Sequence, residues 1–408
     1  MFACTVAALA LFTSSDLNVR TFGAKGDGLT DCTKAFQIAL NAAAAKHVNV
    51  VADSGNYLFK GSISVPNGVC LKGSWESVPA HNGIRDAGLP KPTDGGTTFL
   101  VTGGEGSEAG AFLTLNTNST VKGVVFYYPN QVTDDVPKPY PYAIAMRGKN
   151  PAVLDVELLN PYNGIDASEN ERHLIRNVQG QPIRRGVFVD AIYDIGRLEN
   201  VHFNPWFSMK PKLFAWQQQH GEAFIFGRAD WEYVLNTFCF GYNVGYRFME
   251  SKTGACNGNF LGIGADDCFA AVKVEQSAPF GLLITNGEFT AFHGPDPSMV
   301  LVNPSNSGVV RFSNCAFWGP CNQCAEIGGK GTVGFSNCTF VQWDGRNEGR
   351  PAVHVAGGTV LVRGCDFRED KLGIKVESGV KQVIAKDNVS AGKLRIEATD
   401  PKVVKSDG

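Results

Sequence analysis

The chain has 408 residues, 43% of them apolar, 19% charged and 11% aromatic, with a formal net charge of −2. That balance excludes a disordered polymer, a collagen and a multi-span membrane protein, and without any lysine- or arginine-rich run there is no electrostatic case for nucleic acid. The 47 glycines, 20 prolines and 27 phenylalanines against five methionines favour an all-β chain, because glycine and proline punctuate turns and phenylalanine suits half-buried strands.

Residues 2–12 form an apolar stretch of secretory length, followed by Thr13, Ser14 and Ser15, and too short to span a bilayer. Residues 1–15 read as a truncated or mis-started signal peptide, which predicts a secreted or periplasmic protein with no membrane anchor. No basic residue precedes the stretch, and the alternative is a hydrophobic strand packing on the body. Residues 16–408 are then one domain. Thr33–Lys46 is predicted as a helix, with Asp31 or Thr30 as its cap and Phe36, Leu40 and Ala43 or Ala44 on one face.

A repeat follows. Residues 310–317 (VRFSNCAF), 333–340 (VGFSNCTF) and 360–367 (VLVRGCDF) superpose without gaps, 23 and 27 positions apart. Residues 282–289 are the same unit, and 198–203 and 121–126 are fainter copies. Between them recurs a second strand, as at 186–189 (GVFV), 245–248 (GYRF), 271–274 (AVKV) and 352–355 (AVHV). Irregular units with alternating apolar positions and no helix between strands predict a parallel β-helix, in which each strand pairs with its equivalent one coil away. One coil cannot bury its own apolar side chains, but stacked coils can. Ile165, Val187, Phe224, Tyr246, Val272, Val300, Val353 and Ile374 are the expected interior column. Cys315, Cys338 and Cys365 are expected to stack as small buried hydrophobes. At the far end, residues 393–405 suit a last strand and a polar tail.

Residues 17–31 (LNVRTFGAKGDGLTD), the alanine-rich helix after them, and residues 55–57 (GNY) and 65–73 (VPNGVCLKG) resemble the opening of the pectate-lyase-like superfamily of right-handed parallel β-helix proteins. The resemblance implies a right-handed coil capped by the N-terminal helix, with a groove on one outer face where polysaccharides bind. A homotrimer is one assembly it allows. The superfamily holds hydrolases, lyases, epimerases and tailspikes, so the fold leaves the chemistry open. Residues 264–272 (GADDCFAAV) resemble the aspartate-pair turn of polygalacturonase-type hydrolases, and residues 292–294 (FHG) stand where that family has a Gly-His-Gly. The resemblance implies Asp266 and Asp267 as catalytic acids, with His293 beside them. Two departures stand against it: residues 242–245 (YNVG) replace an expected Asn-x-Asp, and no Arg-Ile-Lys follows. The structural alternative is an aspartate pair capping a turn.

Glycoside hydrolysis needs two carboxylates, and the middle coils supply several, with Asp190 a further catalytic candidate and Glu222 a substrate contact. A lyase or epimerase acting on uronic-acid polymers would instead use Arg247 or Lys273 as base, flanked by Asp166, with Ca2+ as a cofactor; a hydrolase needs none. No tight Asp-x-Asp loop supports calcium. Trp206, Trp216 and Trp231 lie in or near mid-chain insertions and are candidates for stacking on sugar rings. Cys321 and Cys324 lack a partner pair at metal spacing and read as a loop disulfide or two free thiols. The leading expectation is a secreted glycoside hydrolase acting on a polysaccharide. The alternatives are a lyase or epimerase and a non-catalytic, tailspike-like glycan binder.

Overall fold

The computed structural model describes residues 15–81 and 91–407. The apolar stretch 2–12, on which the signal-peptide expectation rests, lies outside the described residues. The rest winds as a parallel β-helix with three faces, seen in the coil Leu282–Thr285 (first face), Glu288–Ala291 (second face) and Ser298–Val302 (third face). The first two faces join as one sheet of 25 strands, and the third face is a separate sheet of 13. In four middle coils, such as that of Glu232–Phe240, one long strand runs through the corner between the first two faces. The ladder pairings along the third face are parallel, as coils that wind in one sense require.

Register on the third face follows the alternation of the sequence. Ile165 pairs with Val187, Val187 with Phe224, Phe224 with Tyr246, Tyr246 with Val272 and Val272 with Val300. Ala325 comes next, then Val353 and Ile374, and every member is fully buried. A second interior column is aromatic: Phe312 stacks on Phe335 at 5.2 Å, and Phe317, Phe340 and Phe367 stack in turn at 5.2 and 4.8 Å. Truncating one such ring would cost about 3–5 kcal/mol. Cys315, Cys338 and Cys365 are buried free thiols, as are Cys321 and Cys324.

The corner between the first and second faces is sharp because one residue per coil adopts the left-handed conformation. Asp155, Asn177, Asn200, Asn236, Asn286, Asn314, Asn337 and Asp387 do so at φ between 52° and 60°, and Gly262 and Gly364 take the place in other coils. Asparagine tolerates this region because its short side chain bonds locally. Here it bonds along the stack: Asn314 donates to Asn286 Oδ1 at 2.8 Å and Asn200 to Asn177 Oδ1 at 2.9 Å.

The first helix, α1 (Thr33–Lys46), buries Phe36, Ala39, Leu40 and Ala43 over the end of the coil. Phe36 meets Tyr57, Phe59 and Phe99 edge to face at 4.9–5.6 Å. Cys32 is the cap by backbone geometry, but it is Asp31 Oδ1 that accepts from the Thr33 amide at 3.0 Å. A second helix, α2 (Pro211–His220), lies where the sequence suggested only an insertion. Pro211 at its start fixes φ for the first turn, and Leu213 and Gln217 are its buried residues.

Candidate active site

The second face is covered over its early coils and open over its later ones. Segment 74–81 folds across it, with His81 Nδ1 2.5 Å from Glu157 Oε2 and both side chains buried. Phe207 and Leu213 pack with Val125, Leu159 and Ile183 into a small apolar cluster on the outside of the sheet. Beyond α2 the cover ends. The outward residues of consecutive coils are then His202, Phe238, Gly264, Glu288, Ala316 and Thr339, each the register partner of the next.

A cleft of about 320 Å³ opens there, lined by Phe238, Gly264, Asp266, Glu288, Thr290 and Trp318 among others. A β-bulge shapes it. Ala265 pairs with Phe289 and Cys268 with Ala291, so Asp266 and Asp267 together oppose Thr290. Asp267 absorbs the extra residue at φ 49°, which re-aims the two neighbouring carboxylates, as bulges beside active sites do. The Thr290 hydroxyl ties both halves together: it donates to Asp266 Oδ1 and accepts from the Asp267 amide at 3.0 Å. Asp266 faces the cleft. Asp267 is buried, accepts from Gln218 of α2 at 2.9 Å and lies 3.3 Å from His293 Nδ1. His293 Nε2 is 3.1 Å from the Gln218 carbonyl, so the imidazole is held between α2 and the bulge.

Glu288 is the second carboxylate of the cleft. It is exposed, and among the described residues no hydrogen bond or ion pair holds it. It pairs in register with Gly264, two residues before Asp266. A strand spacing of about 4.8 Å and a rise of about 3.3 Å per residue put the two Cβ atoms roughly 8 Å apart. Gly264 matters here, since a Cβ on it would come within 3.0 Å of the Phe238 ring on the cleft floor. Aromatic surface flanks the acids on both sides. Trp206 and Phe238 each contact His202, at 4.8 and 5.0 Å between ring centres, and Trp318 is 42% exposed across the cleft.

The residues singled out in the sequence divide among four places. Asp266, Asp267 and His293 come together at the bulge, and Trp206 lies on the same face. Trp216 packs into the side of α2, 5.7 Å from Tyr162 and 4.7 Å from His220. Asp166, Asp190, Glu222, Arg247 and Lys273 lie on the third face, where all but Asp190 are held in ion pairs. Arg247 binds Glu222 at 2.9 Å and Glu275 at 3.1 Å, and Lys273 binds Glu275 at 3.0 Å. Burial pushes the Glu275 carboxyl up, but the bonds from Arg247 and Lys273 outweigh it and hold the group below its ordinary value. Asp166 is bonded to Arg147. Asp190 accepts from the Arg228 amide at 2.7 Å, and three coils, about 14 Å of axis, separate its strand from that of Asp267. Trp231 lies at the corner leading into the first face, beside Asn257. Glu288, Thr290 and Trp318 were not singled out in the sequence. The signal for Glu288 was its outward place in the repeat, where the next coils have Ala316 and Thr339. Among the described residues no group of three or more His, Cys, Asp or Glu could hold a metal ion, and no helix is long and apolar enough to cross a membrane.

Residues 17–135 match the family model described as rhamnogalacturonase A/epimerase, pectate lyase-like. A probable glucan endo-1,3-beta-glucosidase of Arthroderma benhamiae is 43% identical over 65 residues, which is 16% of this chain and 7% of that protein. Among solved structures, the N-terminal fragment of gene product 12 of bacteriophage phi29 matches with a TM-score of 0.65 at 14% identity, over 91% of this chain and 66% of that one. Tailspike protein 3 of bacteriophage CBA120 matches with a TM-score of 0.52 at 10% identity, over 96% and 61%. The chain therefore spans less than two thirds of these relatives. In fold it is a right-handed parallel β-helix protein, and its residues 17–135 are those that match the pectate-lyase-like model.

Proposed function

We propose that the chain is a carbohydrate-active enzyme, a glycoside hydrolase that cleaves a polysaccharide lying along the second face. The observation that carries this reading is the pair Asp266 and Glu288 on the floor of one open cleft with aromatic rings on either side. Their Cβ atoms stand roughly 8 Å apart, a spacing from which the two carboxyl groups can take up the separation of about 6.5–9.5 Å that leaves room for a water beneath the sugar, which is the inverting geometry. Thr290 fixes one oxygen of Asp266, leaving the other to orient that water as general base. Glu288, with no hydrogen bond or ion pair among the described residues, is placed to protonate the leaving oxygen. Asp267, His293 and Gln218 act through Asp266 by holding the bulge. The short match to a glucan endo-1,3-beta-glucosidase favours a neutral glucan as substrate.

The test is a panel of neutral and uronic polysaccharides, read for reducing ends and for absorbance of unsaturated uronates. Reducing ends without absorbance are expected, with losses of about 10²–10⁴-fold for Asp266→Asn and for Glu288→Gln, the usual worth of a positioned acid or base. Absorbance would mean elimination by a lyase. Silence with retained binding would mean a glycan-binding, tailspike-like protein, and either outcome overturns the hydrolase reading.

A further inference from the structure

The corner leading into the first face carries an aromatic surface that the second-face cleft does not use. Trp231 is 52% exposed and Phe280 71% exposed. With Leu283 they line an open cleft of about 440 Å³ whose polar members are Asp230, Asn257 and Asn259. Trp231 is not exposed by looseness. Its backbone is left-handed at φ 63°, a conformation that a bulky residue adopts only when its surroundings impose it. Asn257 imposes it from both sides: its side-chain oxygen accepts from the Trp231 amide at 3.4 Å, and its backbone carbonyl accepts from the Glu232 amide at 3.0 Å. The Glu232 side chain is itself anchored in the interior, 3.0 Å from His173 Nε2. The indole is thereby held out into solvent on a rigid mount.

We propose that this cleft is a second glycan-binding site, separate from the Asp266–Glu288 cleft. A preformed indole is a stacking surface for the C–H face of a pyranose ring, and the flanking amides and carboxylate are hydrogen-bonding partners for its hydroxyls. The platform continues along the axis, since Tyr233 pairs with Asn259 and Asn259 with Leu283. One coil rises about 4.8 Å, close to the length of a single sugar residue, so successive coils meet successive rings of an extended chain. The Asp230 carboxylate on the rim favours neutral sugars over uronates. The proposal rests on the carbohydrate reading above for its class of ligand only, because the two sites lie on different faces.

The experiment uses Glu288→Gln as the background and particulate β-1,3-glucan, cellulose and chitin as probes. Retention on at least one of these is expected, reduced at least tenfold by Trp231→Ala and by Phe280→Ala. In the chain with Glu288 intact, the same two changes leave cleavage of a short soluble oligosaccharide unaltered. Phe280 is too exposed for its loss to disturb folding, which protects the result if Trp231→Ala proves unstable. Failure of the hydrolase reading shows as absent cleavage with retention intact. The binding proposal is overturned if the background chain binds none of the probes or if both variants are retained unchanged. It is equally overturned if both variants instead convert a sedimenting oligomer to monomer, which would make the surface a contact with a second copy.

Discussion

Asparagine, aspartate and glycine at the corner between the first and second faces decide whether the coils can stack at all. Each must hold a left-handed backbone while its neighbours above and below do the same. An alanine there bears the full steric cost of about 1–2 kcal/mol, and at Asn314 it also removes the bond to Asn286 Oδ1. Asn314→Ala is therefore expected to lower stability by about 1–3 kcal/mol in chemical denaturation, and Asn314→Gly to recover most of the loss. Equal losses for both variants would show that the ladder bond, not the backbone, dominates. The repeat Ser-Asn-Cys in residues 313–315 and 336–338 made this position visible in the sequence. What was not visible is that Asp267 uses the same conformation to make a bulge, because a bulge appears only when two coils are laid side by side and one residue is found to have no partner.

Among the elements, the third face was the most legible. Alternation puts the residues that follow the predicted interior column into an outward row, Asp166, Phe188, Ile225, Arg247, Lys273, Leu301, Glu326, His354 and Lys375, and consecutive pairings follow that row. Alternation cannot say whether an outward charge is free or paired, and here neighbouring strands neutralise each other. At the C-terminal end of this sheet His354 lies 2.7 Å from Glu326 and 3.0 Å from Glu377, on the strands to either side or just beyond them. The Glu326 contact raises the imidazole above its ordinary value of 6.5 against the opposing effect of burial, and Glu377 adds to the rise. A histidine favoured as its cation in the fold contributes stability that is full below about pH 6.5 and is lost as pH rises through the folded value. The melting temperature of the wild type is expected to fall relative to that of His354→Gln between about pH 6 and pH 9; parallel profiles would contradict the pairing. Helix α2 was the least legible element. Its ten residues bury only Leu213 and Gln217, so its apolar stripe is too narrow to stand out beside the aromatic residues around it.

At the scale of the molecule, the three faces differ in what covers them. The third is closed by its own ion pairs, the second is roofed early by segment 74–81 and α2 and open later, and the first presents the Trp231 surface at its corner. The sequence alone showed that distant residues become neighbours by winding, and it brought Asp266 and Asp267 to attention. It could not divide the acids among faces, because face is set by where each coil bends, and the long insertions shift the bends. In the proposed reading a sugar chain is processed on the second face across Asp266 and Glu288. The most direct test is a crystal structure of Glu288→Gln soaked with an oligosaccharide released from the polymer the wild type cleaves. Sugar density is expected across the cleft, flanked by Phe238 and Trp318, with a glycosidic oxygen within hydrogen-bonding reach of residue 288. Density on the third face beside Arg247 and Lys273, with the second-face cleft empty, would contradict it.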